Sequence, residues 1–223
     1  MKNTVIISAF PACGKTYAYN TYEDITMLDS DSSEFSWIKD ENGNNTKERN
    51  PDFPNNYIKH IKDNIGKVDV IFVSSHLNVR QAMADNNIDY ITIYPQEQCR
   101  LSWIGRMYLR GNDANFISFI NDNWNKFMSD IKKEPHGMSI FLLWHNDYLD
   151  RKIINRAIVR NKCQKLINKP IKIKRKDLYI KTPYTIITDI TVFEEDTFGQ
   201  GEYMVLSKEG KRLYPSEFEL IDC

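Results

Sequence analysis

Residues 4–16 read TVIISAFPACGKT, and this stretch decides the predicted fold. Its first part, residues 4–9, is a short continuous apolar run, which is typical of a strand buried on both faces of a parallel sheet. Its second part, AFPACGKT at residues 9–16, matches the phosphate-binding pattern GxxxxGK[ST], except that Ala9 stands at the first glycine. Because this pattern requires a loop between a buried strand and a helix, the sequence predicts a phosphate-binding loop, or P-loop.

The residue types of the loop suit phosphate chemistry. Successive backbone N–H groups can wrap phosphate oxygens, and Gly14 allows the backbone to approach closely. Lys15 would neutralise β/γ oxygens, and the Thr16 hydroxyl would ligate Mg²⁺. We therefore predict that ATP and Mg²⁺ bind here. The predicted ATP-binding residues are Pro11, Ala12, Cys13, Gly14, Lys15, Thr16 and Tyr17, with Thr16 as the metal ligand.

The rest of the first 150 residues alternates between strand and helix patterns. Apolar runs predict further strands at residues 25–28, 68–73, 90–94 and 138–144, and residues 55–65 and 116–131 carry helical spacing. This alternation predicts an α/β fold, in which a parallel sheet of the P-loop NTPase type is flanked by helices. Residues 40–56 are polar enough to predict a mobile surface segment.

The pattern changes after residue 150. A basic helix is expected at residues 152–167, followed by strands at 184–193, 203–206 and 218–221 with glycine-marked turns. We predict a kinase-like domain over residues 1–169, including the basic helix, and a small β-rich domain of the SH3-like barrel type over residues 170–223.

Charge and composition limit the partners. The 223 residues carry no net charge, but residues 151–181 hold 12 Lys/Arg against one acid, Asp177. This stretch could bind nucleic acid, although its interleaved apolar residues favour a solvated amphipathic helix. No apolar run is long enough to span a membrane, and the four scattered cysteines favour reduced thiols in the cytoplasm.

Two acidic residues follow the second predicted strand, at the sheet edge where ligands bind. Asp29 and Asp31 could orient Mg²⁺ or act as a base on an acceptor hydroxyl, or they could simply cap a turn or helix. The third strand offers no acid at this edge, because Asp69 lies at its other end. His76, which follows that strand, could contact a phosphate or be structural.

A helix predicted at residues 97–110 carries three arginines. Arg106 and Arg110 share a face, and Arg100 lies about a third of a turn away. Guanidinium groups that close over a nucleotide neutralise phosphate oxygens during phosphoryl transfer, so a catalytic lid is favoured over a solvated arginine face.

Five segments together resemble small P-loop nucleoside and nucleotide kinase-like proteins of bacteriophages. They are AFPACGKT (9–16), DSDSSEFSW (29–37), NPDFPNNY (50–57), IFVSSHLNVR (71–80) and RMYLRGN (106–112). The resemblance covers about residues 1–150 and implies an acceptor pocket beside the P-loop. By that resemblance Asp29, Asp31, Asn55, Tyr57 and Arg80 become acceptor-site candidates, to which the predicted helix adds Arg100.

We expect transfer of the ATP γ-phosphoryl group to a nucleoside monophosphate or a nucleoside. Lys15, Arg106 and Arg110 would stabilise charge, and Asp29 or Asp31 would act as base for a hydroxyl acceptor. Two alternatives stay open: a polynucleotide 5′-kinase or other nucleic-acid-directed NTPase, and a nucleotide-binding regulatory protein in which the β-rich tail is the working part.

Overall fold

The computed structural model describes residues 2–133, 140–143, 145, 147–168, 170–175, 185–192, 203–208, 210, 212–213 and 218–221. The chain forms two compact units, Met1–Arg151 and Lys152–Cys223. The division therefore falls between Arg151 and Lys152, whereas the sequence placed it after residue 169. Nearly all of the basic helix is therefore counted with the second unit.

The first unit contains a five-stranded parallel sheet, as predicted. Its spatial order is β2-β5-β1-β6-β7. The strands are β1 (Val5–Ala9), β2 (Met27–Asp29), β5 (Val70–Val73), β6 (Ile91–Pro95) and β7 (Ile140–Leu143). The helices are α1 (Lys15–Thr21), α2 (Ser33–Ser36), α3 (Asn55–Asn64), α4 (Leu77–Asp85), α5 (Arg100–Leu109), α6 (Ala114–Asp122) and α7 (Trp124–Lys132), with a 3₁₀ turn at Glu97–Cys99 before α5.

The central strands are buried on both faces, which explains their continuous apolar runs. Every residue of β1, β5 and β6 is buried. On one face Ile6 and Ile71 pack with residues of α3 and α4 in a core cluster. On the other face Ile7 pairs in register with Phe72 of β5 and Ile91 of β6, and all three side chains are buried.

The strand order sets the position of the ligand-binding edge. From β1 the chain passes to one side of the sheet, to β2 and β5, and α4 then carries it across to β6 on the other side. Such a reversal opens a crevice at the carboxyl ends of the strands, where ligands bind in open α/β sheets. The P-loop leaves β1 at this crevice.

Two parts of the first unit differ from the sequence prediction. The polar stretch at residues 40–56, expected to be a mobile segment, contains the strand β4 (Asn45–Arg49). This strand pairs antiparallel with β3 (Trp37–Lys39), which lies just before the stretch. The helical pattern over residues 116–131 is two helices that break at Asn123. Of the strand predicted at residues 138–144, only 140–143 lie within the described residues.

The second unit begins with α8 (Arg151–Gln164), whose first residue is counted with the first unit. An antiparallel sheet follows, in the order β11-β10-β9-β8-β12. Its strands are β8 (Pro170–Arg175), β9 (Thr185–Val192), β10 (Tyr203–Ser207), β11 (Arg212–Leu213) and β12 (Phe218–Ile221). The three predicted strands of the tail are present among the described residues, and β8 and β11 were not predicted.

Candidate functional site

The P-loop forms a tight turn between β1 and α1. Two residues adopt the left-handed conformation, Ala12 with φ 62° and Gly14 with φ 99°. Lys15 folds back over the loop, and its Nζ donates to the carbonyl oxygen of Ala9 at 2.9 Å. Burial lowers the pKa of the Lys15 ammonium, which is half-buried at the crevice. Its cation therefore faces a partly desolvated space, where an anion interacts strongly with it.

Gly14 meets two requirements that exclude a larger residue. Its φ lies in the region that glycine favours, and a Cβ at this position would lie 3.3 Å from Cδ1 of Tyr148 and 3.5 Å from the backbone nitrogen of Leu149. The P-loop is thus packed closely against residues 147–150, the segment that follows β7. We call residues 147–150 the covering segment.

Cys13 is a core residue of the loop. It is 1% exposed, and burial raises the pKa of its thiol to about 12. The thiol therefore stays protonated at neutral pH, whereas the nucleophilic form of cysteine is the thiolate. Tyr17, the last predicted ATP-binding residue, is 62% exposed on α1, and its ring contacts Tyr22 edge-on.

The two acidic residues after β2 have different partners. Asp29 lies at the carboxyl end of β2 and accepts a hydrogen bond of 3.1 Å from the Thr16 hydroxyl. Asp31 is exposed and accepts a hydrogen bond of 2.9 Å from the backbone N–H of Ser33, at the start of α2. Asp29 is therefore beside the P-loop threonine, and Asp31 caps a turn with one carboxylate oxygen engaged.

The candidate ligands for a metal are the Thr16 hydroxyl and the Asp29 carboxylate. Both are oxygen donors of the kind that Mg²⁺ prefers, and Mg²⁺ is commonly held by one or two protein oxygens together with substrate phosphates. Within the described ranges, no group of three or more His, Cys, Asp or Glu residues is arranged to hold a metal.

Two predicted acceptor residues are buried and bonded to the backbone. Tyr57 is 0% exposed; its hydroxyl donates to the carbonyl oxygen of Ser30 at 2.8 Å and accepts from the backbone N–H of Ser74 at 3.3 Å. Burial raises its pKa to about 12. Arg80 is 2% exposed and donates to the carbonyl oxygen of Ser75. Tyr57 ties together the segments that follow β2 and β5, and Arg80 bonds the segment that follows β5. A role of these two residues in contacting substrate stays a prediction.

The other predicted acceptor residues lie apart from one another. Asn55 is exposed at the first turn of α3. Arg100 donates from Nε to Oδ1 of Asn121 at 3.0 Å and so joins α5 to α6. This bond gives Arg100 a structural partner, which its prediction as a substrate-binding residue did not anticipate.

Sequence analysis missed one cationic residue whose charge acts on His76. Arg49, at the end of β4, stacks its guanidinium 3.8 Å from the centre of the Trp37 ring. Partial desolvation and the charges of Arg49 and Lys15 lower the pKa of His76, so His76 is neutral at pH 7. Arg49 gave no signal because it lies in a uniformly polar stretch without a helix or strand period.

The arginines of α5 have distinct environments. Arg106 donates to the carbonyl oxygens of His145 at 2.6 Å and Asp147 at 2.7 Å. Arg110 is exposed at the end of α5, and its charge contributes to lowering the pKa of Lys15. The structure thus brings both arginines to the P-loop region, where the side chain of Arg106 is engaged with backbone and that of Arg110 is exposed.

No protein-family model matches the chain, and no curated protein matches it. In the part of the chain that the structure describes, no helix combines the length and apolar character that crossing a membrane requires.

Proposed function

We propose that the protein is an ATP-dependent phosphotransferase that acts on a nucleoside monophosphate or a nucleoside. One observation carries this proposal. At the reversal point of a parallel sheet, Lys15 folds over the P-loop while the Thr16 hydroxyl lies 3.1 Å from the Asp29 carboxylate. A cation and a hydroxyl–carboxylate pair at the start of α1 suit a magnesium–nucleotide complex.

In phosphoryl transfer the protein mainly positions the reacting groups and neutralises the charge of the phosphate oxygens. Lys15 would exchange its bond to the Ala9 carbonyl for the phosphate oxygens of ATP, and Arg110 would approach the same charge from the end of α5. Mg²⁺ held by Thr16 and Asp29 would supply further neutralisation of the phosphate oxygens.

Acceptor chemistry decides whether a base is needed. If the acceptor is a hydroxyl, Asp31 is the better base, because its carboxylate is exposed and Asp29 already accepts a hydrogen bond from Thr16. If the acceptor is a phosphate, its oxygens are nucleophilic without a base. Arg49 would then offer a cation on the acceptor side.

The experiment is an acceptor panel. Pure protein is incubated with ATP, Mg²⁺ and, separately, nucleosides, nucleoside monophosphates and an oligonucleotide with a 5′-hydroxyl, and the products are separated. We expect transfer to a nucleoside monophosphate or a nucleoside. Transfer to the oligonucleotide alone would assign a polynucleotide kinase, and tight ATP binding without any transfer would assign a nucleotide-binding regulator.

For the second unit we propose an accessory role in the cytoplasm. The antiparallel order β11-β10-β9-β8-β12 is compatible with a small barrel of the SH3-like type. The basic stretch at residues 151–181 would contact nucleic acid through phosphates. We expect the affinity for an oligonucleotide to fall steeply as the salt concentration rises. An affinity that does not depend on salt concentration would contradict this contact.

A further inference from the structure

The covering segment contacts the P-loop through backbone as well as side chain. The backbone N–H of Leu149 donates to the carbonyl oxygen of Cys13 at 2.8 Å. The ring of Tyr148 lies against Gly14, as the distance of 3.3 Å to the Cβ position shows. A shift of the covering segment would therefore move the centre of the P-loop.

Arg106 holds the covering segment from the other side. Its two terminal nitrogens bond the carbonyl oxygens of His145 and Asp147. Its guanidinium lies 3.8 Å from the centre of the Trp103 ring and 4.0 Å from that of Tyr148, so the cation is between two aromatic rings. Three contacts of this side chain, its two hydrogen bonds and its contact with the Tyr148 ring, thus join α5 to the segment after β7.

Trp103 completes a closed set of contacts. It is 0% exposed, and its Nε1 donates to the carbonyl oxygen of Pro11 at 3.0 Å. The P-loop is therefore bonded twice through carbonyl oxygens, at Pro11 by Trp103 and at Cys13 by Leu149. These two points flank Ala12, whose left-handed conformation is one that non-glycine residues seldom adopt.

We propose that Trp103, Arg106 and Tyr148 form a positioning clamp that fixes the conformation of the P-loop, and that Arg106 acts through this clamp and not by contacting the transferred phosphoryl group. This inference rests on the proposed function for its kinetic consequence. The fork of Arg106 already bonds two carbonyl oxygens, and both ring contacts fix its plane, which leaves the exposed Arg110 as the arginine able to reach phosphate.

The clamp and a direct phosphate contact differ in what the loss of Arg106 should do. A misplaced P-loop binds ATP poorly before any reaction occurs, so Arg106→Ala should weaken ATP binding about tenfold or more and lower turnover as well. Loss of a contact made only in the transition state lowers turnover alone. Arg110→Ala should show that second pattern, with ATP affinity within about twofold of the wild type.

The first measurement uses the full chain and does not depend on nucleotide. Hydrogen exchange of the backbone amides at residues 10, 12–16 and 147–149 is compared among wild type, Arg106→Ala, Trp103→Phe and Arg110→Ala. We expect faster exchange at these residues in Arg106→Ala and Trp103→Phe, because each loses bonds of the clamp, and unchanged exchange in Arg110→Ala. Unchanged exchange in all three variants would overturn the clamp, even if the protein binds no nucleotide.

The second measurement is calorimetric titration with ATP and Mg²⁺, paired with steady-state kinetics. Arg106→Lys should fail to restore affinity, because an ammonium cannot bond two carbonyl oxygens and stack between two rings at once. Tyr148→Phe should retain wild-type affinity, and Tyr148→Ser should lose it. Wild-type affinity with reduced turnover in Arg106→Ala would show instead that Arg106 contacts the transferred group.

The two hypotheses fail in different ways. If the wild-type protein binds no ATP, the proposed function is contradicted. Hydrogen exchange still tests whether the clamp fixes the P-loop. If Arg106→Ala does not fold, Trp103→Phe keeps an aromatic ring beside Arg106 and removes the indole N–H that bonds Pro11, so its exchange and ATP affinity carry the test.

Discussion

Lys15 is the residue at which chemistry and folding should separate most clearly. Its ammonium donates a hydrogen bond to the carbonyl oxygen of Ala9. Burial lowers its pKa, so the charged form contributes little to the stability of the protein without ligand. We expect Lys15→Ala to lower phosphoryl transfer about 100-fold or more while the melting temperature changes by only a few degrees. Circular dichroism and a product assay on the same sample test this; turnover within a few-fold of the wild type would refute the site.

Asp69 provides a pH test at the opposite end of the sheet. Although burial opposes the effect, hydrogen bonds from Thr26 and Lys2 hold the pKa of Asp69 below its ordinary value of 3.8. A lowered folded-state pKa stabilises the protein above the ordinary value, and that stability is lost as pH falls through the folded-state value. We expect Asp69→Asn to cost about 1 kcal/mol at pH 7, with the difference from the wild type shrinking below about pH 4.

Urea unfolding at pH 7, 5, 4 and 3 checks the expectation for Asp69. Asp63→Asn is the matched control, because Asp63 is exposed and its ion pair with Lys59 lies on the surface of one helix, α3. The control should change little at any pH. A difference between Asp69→Asn and the wild type that stays constant down to pH 3 would contradict the assignment, and loss of ATP binding would show that Asp69 belongs to the site after all.

Site residues that belong to a specific sequence motif could be placed from the sequence, and those outside such a motif could not. Lys15 and Thr16 belong to a motif whose geometry is fixed by phosphate, so the P-loop could be placed from sequence. Asp29 and Asp31 could be placed at the sheet edge, but only the coordinates show which one meets the Thr16 hydroxyl. The bridge that Tyr57 makes between two backbone groups could not be predicted, because a tyrosine with that role has the same sequence pattern as one that contacts a ligand.

At the scale of elements, the glycine in α5 offers a test of local energetics. Gly105 lies within the helix, and an added Cβ would meet no atom within 4 Å. Gly105→Ala should therefore stabilise the protein by about 0.5–1 kcal/mol through helix propensity alone. Thermal unfolding measures the change, and a destabilised variant would mean that this face of α5 is covered in the folded protein.

Gly14→Ala is the contrasting substitution in the P-loop. Its φ of 99° and its approach to Tyr148 both oppose a side chain, so we expect about 1–3 kcal/mol of destabilisation and loss of ATP binding. The pair of variants separates two uses of glycine. A Gly14→Ala protein with wild-type stability would show that the covering segment yields easily, against the packing described for it.

The elements that sequence analysis predicted best are those with a clear pattern of apolar residues. The buried strands around β1 have continuous apolar runs, and α3 has an apolar face and closely matches its predicted bounds. The hairpin of β3 and β4 was missed because four of the five residues of β4 are exposed, so no apolar alternation marks it. It is held instead by backbone pairing and by the stack of Arg49 on Trp37.

At the scale of the whole molecule, the position of the boundary between the units can be decided by truncation. Sequence placed α8 with the kinase-like part because Pro170 ends its helical pattern, whereas the structure divides the chain between Arg151 and Lys152. All contacts described around the P-loop lie between Ala9 and Leu149. Arg151 forms an ion pair with Asp24 of the first unit, so a shortened protein that contains only the first unit should end after Arg151.

We therefore expect a protein of residues 1–151 to fold cooperatively and to bind ATP with Mg²⁺ as tightly as residues 1–169 and the full chain, since its five-stranded sheet and P-loop contacts are complete. Chemical unfolding and calorimetric titration of the three proteins give the comparison. If residues 1–169 fold and bind while residues 1–151 do not, α8 is part of the nucleotide-binding unit and the boundary predicted from sequence is the functional one. If neither shortened protein transfers phosphate to an acceptor that the full chain uses, residues 170–223 contribute to the active site itself.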